Sequence, residues 1–139
     1  MSSVGKRLRL NRLFLREPRV GVIVPIDHAL TIGPIDGLEN VDAIASWIST
    51  PGITGIIAHK GMVERLAERD LLHGKGVVVH LNGMSAISAD PNRKEMLTQI
   101  ETALHFGADA VSVQVNFDGS NDSHNLQLLG GVVDEALNV

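Results

Sequence analysis

A chain of 139 residues that is 44% hydrophobic has enough length and apolar content to bury one core of ordinary size, which excludes wholesale disorder. Twelve Lys plus Arg against sixteen Asp plus Glu, a formal charge of -4, with 3% aromatic residues and no Tyr, argue against a nucleic-acid or anionic-membrane partner and against a base-stacking platform. Cysteine is absent, which excludes disulfides and thiolate metal sites and suits a reducing, cytoplasmic setting, and no apolar run approaches the roughly 18 residues of a membrane helix or the h-region of a signal peptide.

The chain opens on GKRLRLNRLF (5–14), a basic lead-in whose Leu8, Leu10, Leu13 and Phe14 are expected to cover one end of a sheet. VGVIVPI (20–26) reads as the first strand, and Leu38, Val41, Ala45 and Ile48 form the first helical stripe. ITGIIA (53–58) is the second strand, followed by a stripe of Val63, Leu66, Ala67 and Leu71. GVVVHL (76–81) is the third strand. Asp90 and Pro91 form a helix start signal, an orphan-amide acceptor followed by a residue suited to the first helical position. The third helix is therefore expected to begin there and to carry Met96, Leu97, Ile100, Ala103 and Leu104 on one face.

DAVSVQV (109–115) is the fourth strand, more alternating than the others because of Ser112 and Gln114. A last stripe uses Leu126, Leu129, Val133, Ala136 and Leu137, weakened by Gly130 and Gly131 at up to about 1 kcal/mol each relative to Ala. Near-continuous Val/Ile runs suit a parallel sheet covered on both faces. No linker interrupts the four strand-helix units, so 1–139 reads as a single α/β unit. Two architectures remain open: part of a closed (β/α)8 barrel, or a small open sheet of flavodoxin type.

In both architectures ligands bind at the carboxyl ends of the parallel strands, and those ends are polar here. Strand one leads into Asp27 and His28, strand two into His59 and Lys60, strand three through His80 into Asn82, and strand four through Gln114 into Asn116. Asp27 can cap the next turn, or it can transfer protons at a substrate. His28 can orient that carboxylate, shuttle a proton, or satisfy a loop carbonyl. Lys60 is open between an amine nucleophile and an ion-pair or phosphate contact. His59 and His80 with Asp27 are metal-ligand types, but neither HxH nor HExxH spacing accompanies them and no metal is expected. No GxGxxG or Walker-type loop suggests a nucleotide cofactor.

GKRLRLNRLF, VIVPIDHALTIGPIDGLEN, HKG, VVVHL, DPNRKEML and GADAVSVQVN occur in the order seen in archaeal-type class I fructose-bisphosphate aldolases. The same order marks the 2-amino-3,7-dideoxy-D-threo-hept-6-ulosonate synthases and the autoinducer-2 thiolase, and the chain resembles this family over essentially its whole length. The resemblance implies the N-terminal half, four strand-helix units, of a (β/α)8 TIM barrel. It implies aldol cleavage or condensation of phosphorylated keto sugars through a lysine Schiff base, with no added cofactor. It matches Asp27 to the family's acidic proton-transfer residue and the run Asp27, His28, Ala29, Leu30, Thr31, Ile32 and Gly33 to the sugar-phosphate site. His59, Lys60, His80 and Asn116 are further residues at the rim.

Three departures stand out: Ala29 where the family usually has Gly, Gln114 where it commonly has His, and HLNGMS at the third-strand exit. The resemblance also places the family's Schiff-base lysine, tyrosine acid and phosphate loops on later strands than those found here. Two expectations follow. One is a partial barrel, inactive alone, that takes a phosphorylated ketose or aldehyde and is completed by self-association or a second polypeptide. The other is a non-enzymatic half-barrel that self-associates or binds a sugar phosphate.

Overall fold

The computed structural model describes residues 4–139. Helix α1 (Val4–Leu13) precedes strand β1 (Val22–Pro25), the single turn α2 (Ala29–Ile32) and helix α3 (Val41–Ile48). Strand β2 (Ile53–Ala58), helix α4 (Lys60–Ala67) and strand β3 (Gly76–His80) follow. A two-residue pair, β4 (Asn82–Gly83) and β5 (Glu95–Met96), then leads to helix α5 (Ile100–His105), strand β6 (Ala110–Ser112) and helix α6 (Asp122–Ala136).

The four principal strands form one parallel sheet in the order β1-β2-β3-β6. Strictly sequential neighbours are what a barrel segment requires, whereas a flavodoxin-type sheet reverses direction at its switch point. The sheet with its alternating helices has the architecture of half a (β/α)8 barrel.

Strand alternation divides the side chains into two sets. Val24, Ile56 and Val77, with Ala58, Val79 and Val111, pack against Ile44, Ile48, Val63, Leu66, Ile100, Ala103 and Val132 of the helices, forming the core. The opposite face carries Pro25, Ile57, Val78 and Ala110 in one register layer, with His80 and Ser112 paired in the next layer up. The inward set is where a barrel gathers its chemistry.

The lower end of this face is closed by α1. Leu13 is buried over glycines on two strands, and a Cβ added at Gly76 would stand 2.5 Å from Leu13 Cδ2. Arg12 Nη2 and Nε each approach Asp109 Oδ1 at 2.5 Å, and the second Asp109 oxygen accepts from Val77 N at 3.0 Å. Of the four apolar residues expected to cover the sheet end, Leu13 is buried, Leu10 and Phe14 are half-buried, and Leu8 faces solvent.

Three local expectations are corrected. The helix expected from Asp90 begins only at Ile100, because residues 94–98 are drawn into the sheet end instead. Leu97 N and Thr98 N both donate to Leu81 O, Glu95 and Met96 pair with β4, and Asp90 accepts from Arg93 N and Asn121 Nδ2. The fourth strand is three residues long, since beyond Ser112 the Asn82 side chain takes over as Gln114's partner.

In α6 the buried face lies one residue away from the expected stripe. Asn125 and Val132 are buried while Leu126, Val133 and Leu137 are exposed. Asn125 Nδ2 donates to Asn116 O and Asn92 O, which turns the helix to that side. Gly130 and Gly131 do not interrupt its 15 residues. Val133, Ala136 and Leu137 instead line an apolar cavity of about 340 Å³ with Ile100, Leu104 and Leu10.

Candidate active site

The ladder between β1 and β2 continues one step past β1, where Ile26 N donates to Ile57 O at 2.8 Å. That step delivers Asp27 to the carboxyl end of the sheet. The chain then makes one helical turn, in which Thr31 N and Ile32 N both donate to His28 O, and leaves through Gly33 at φ 81°, a left-handed conformation that glycine adopts without penalty. Ala29 opens that turn in ordinary helical conformation, so its methyl costs the backbone nothing.

Asp27 does not serve as the cap of α2. Its oxygens face two imidazoles, Oδ1 at 3.6 Å from His28 Nδ1 and Oδ2 at 3.5 Å from His80 Nδ1. His28 Nδ1 is buried and has no hydrogen-bond partner. A cavity of about 270 Å³ lies beside them, lined by Asp27, His28, Thr31, Ile32, His80 and Gln114. Its lining mixes polar and apolar groups.

His80 closes the back of this cavity and is 8% exposed. Its Nδ1 lies 2.8 Å from Ser112 Oγ, its register partner on β6. Its backbone oxygen accepts from His59 Nδ1 at 3.2 Å, and the two rings meet edge to face with centroids 5.2 Å apart. A carbonyl can only accept, so His59 carries its proton on Nδ1. Burial lowers the His80 pKa below its ordinary 6.5; the Asp27 carboxylate pulls upward, and His59 and Lys94 add to the lowering. His80 is therefore neutral at pH 7.

The remaining strand-end residues take other positions. Leu30 points at Gly83, and neither Ala29 nor Gly33 reaches the cavity lining. Lys60 Nζ donates to Leu97 O at 3.0 Å, tethering the segment that follows β5. Asn116 accepts from Gln114 Nε2 and donates to Asn92 Oδ1, forming a polar rim above β6. Among the described residues no group of three or more His, Asp or Glu side chains is placed to hold a metal ion, and no helix is long and apolar enough to cross a membrane.

Ser112 and Lys94 escape a reading of strand ends alone, and Asn82, which that reading names, takes a structural part. Ser112 has a visible signal, the alternation of the fourth strand. Asn82 is fully buried and its amide bonds both the N–H and the C=O of Gln114, acting as an extra strand residue. Lys94 is 3% exposed, and its charge bears on His80. It lies in the segment the sequence presents as a helix.

The model of the DeoC/LacD family of aldolases matches residues 21–136. A 2-amino-4,5-dihydroxy-6-oxo-7-(phosphonooxy)heptanoate synthase of Streptomyces griseus is 32% identical over 130 residues, 94% of this chain and 47% of that protein. A 2-amino-3,7-dideoxy-D-threo-hept-6-ulosonate synthase of Archaeoglobus fulgidus is 33% identical over 132 residues, 93% of this chain and 48% of that protein. An archaeal fructose 1,6-bisphosphate aldolase superposes with a TM-score of 0.77 at 20% identity, covering 96% of this chain and 53% of that structure. The chain thus spans about half the length of these curated relatives.

Proposed function

The chain belongs to the DeoC/LacD family of aldolases, and from that premise we propose that it supplies the Asp27 half of a class I aldolase-type site for a phosphorylated keto sugar or aldehyde. One observation carries the reading. Asp27 stands at the carboxyl end of β1, in a cavity of about 270 Å³, with a histidine ring facing each of its oxygens. A family resemblance that matches this position to a proton-transfer carboxylate supports it independently.

In the proposed chemistry a lysine amine adds to the substrate carbonyl, giving a carbinolamine, and loss of water gives the iminium that drains electrons during carbon-carbon bond cleavage or formation. Addition moves a proton from the amine nitrogen to the carbonyl oxygen, and dehydration adds one to the departing hydroxyl. Asp27 is the group that relays them. Within the turn from His28 to Gly33, His28, Thr31 and Ile32 form the substrate-side wall with His80 and Gln114, while Ala29, Leu30 and Gly33 shape its backbone and His59, Lys60 and Asn116 lie outside the cavity lining. The amine comes from the half of the barrel that the relatives carry beyond the matched region. Lys60 is a poor substitute, since its ammonium is committed to the Leu97 carbonyl.

A second reading is favoured by the open sides of the sheet. Among the described residues β1 and β6 each have one strand neighbour, and Val20 and Val22 at the β1 edge are 49% and 55% exposed. Such edges favour self-association or completion by another polypeptide. The half-barrel would then bind a sugar phosphate without turning it over.

Borohydride trapping with dihydroxyacetone phosphate tests the assignment of the amine. The 139-residue chain alone is expected to gain no covalent adduct by mass spectrometry. An adduct on any of its lysines would overturn the assignment. Adding the C-terminal half of a relative's barrel separates the two readings: lyase turnover gained on mixing supports the first, and an oligomer by size-exclusion mass that stays without turnover supports the second.

A further inference from the structure

We propose that His80 is a positioning residue for Asp27: an Nδ1–H hydrogen-bonded to Ser112 and facing the carboxylate at 3.5 Å orients Asp27 by charge attraction and leaves His80 Nε2 as the basic nitrogen. The inference rests on the reading of Asp27 as the proton-transfer group and adds a residue whose role nothing in the family match specifies.

The ring is held from three elements. From the residue after β2, His59 donates its Nδ1–H to the His80 carbonyl and lays its ring edge to face against His80 at 5.2 Å. From β6, Ser112 Oγ sits 2.8 Å from His80 Nδ1. From the end of β1, Asp27 Oδ2 sits 3.5 Å from the same nitrogen. Lys94, on the segment before β5, is the remaining charged group whose field reaches the ring.

The chemistry of these partners selects the tautomer. A hydroxyl can donate or accept, whereas a carboxylate only accepts. A bare Nδ1 would turn its lone pair toward the negatively charged Asp27 oxygen. A protonated Nδ1 is attracted to both neighbours, with Ser112 as the short acceptor and Asp27 as the longer one. The contacts of 3.5 Å to His80 and 3.6 Å to His28 exceed ordinary hydrogen-bond length. Asp27 is oriented from both sides while its lone pairs stay available to a substrate proton.

Long-range ¹H–¹⁵N correlation spectra of the labelled full chain, recorded from pH 8 to pH 5, test this directly. The expected result at pH 7 is a neutral His80 ring with its proton on Nδ1. Asp27→Asn, which alters little but charge, should move the His80 titration midpoint down by about one unit and release the proton from exclusive residence on Nδ1. Ser112→Ala should keep the Nδ1 proton, because Asp27 remains. The His59 ring, protonated on Nδ1 in every variant, reports that the fold is retained. A His80 proton on Nε2 in the wild-type chain overturns the proposal, as does an Asp27→Asn variant whose His80 midpoint and tautomer are both unchanged. The tautomer is read without substrate, so a failure of positioning and a failure of sugar-phosphate binding are separate results.

Discussion

Replacing Gly76 with Ala should unseat the helix that closes the lower end of the sheet. The added Cβ would meet Leu13 Cδ2 at 2.5 Å, Arg12 O at 3.0 Å and Arg12 C at 3.1 Å. The Leu13 side chain can rotate away, but the two Arg12 atoms are backbone, so relief requires the end of α1 to move. Overpacking of this kind costs about 1–3 kcal/mol. Moving α1 also weakens the burial of Leu13, worth about 1.5–3 kcal/mol if lost completely, and stretches the Arg12–Asp109 pair. Against this stands a gain of about 0.4–1 kcal/mol from a stiffer unfolded chain.

The net expectation for Gly76→Ala is a loss of about 2–4 kcal/mol, read from urea unfolding followed by circular dichroism. Gly130→Ala is the control. Its Cβ meets nothing within 4 Å in the middle of α6, so it should stabilise by about 0.5–1 kcal/mol. Combining Gly76→Ala with Leu13→Ala should show a favourable coupling of about 1 kcal/mol without full rescue, because only the nearest of the three contacts is removed. A Gly76→Ala protein within about 0.5 kcal/mol of wild type would refute the seating of α1 on this glycine.

Other predictions follow from single contacts. Arg12→Leu leaves the buried Asp109 carboxylate without its charged donor, and with Arg12 itself half in solvent the expected loss is about 1–3 kcal/mol, checked by the same unfolding curves. Asn82→Leu removes both side-chain bonds to Gln114 and should cost about 1–3 kcal/mol while raising amide exchange at Gln114. Because burial holds the His80 pKa below 6.5, the unfolded chain takes up that proton first as pH falls. Stability should thus be level above about pH 6.5 and decline below it, by at most about 1.4 kcal/mol per pH unit for this one group. His80→Asn should flatten that decline.

The sheet was legible in the sequence because parallel strands buried on both faces read as unbroken Val/Ile runs, and three of the four are found close to where those runs lie. The segment around residues 90–98 was not. Its Asp-Pro start signal and apolar spacing satisfy a helix locally, but the Leu81 carbonyl captures Leu97 and Thr98, a tertiary contact no local pattern contains. The buried face of α6 departs from its apolar stripe for a related reason. Asn125, polar and thus excluded from an apolar stripe, is buried because two distant carbonyls, Asn92 O and Asn116 O, receive its amide.

Strand-end logic singles out Asp27, His28 and His80, which meet at one cavity, and His59, whose ring packs against His80. It could not reveal that His80 bridges to Ser112, because that pairing depends on register between β3 and β6. Lys94 left no trace in the sequence at all. Its relation to His80 exists only once β5 folds back against β4.

The most direct measurement of the central claim is a titration of the ¹⁵N-labelled chain with dihydroxyacetone phosphate, followed residue by residue. Saturable shifts should centre on residues 27–33, His80 and Gln114. Asp27→Asn should keep affinity within about threefold of wild type, because the proposed task of Asp27 is proton transfer at the carbonyl and not retention of the phosphate ester. Shifts confined to the apolar cavity beside Leu10 and Val133, or none at millimolar ligand, would contradict a sugar-phosphate site built around Asp27.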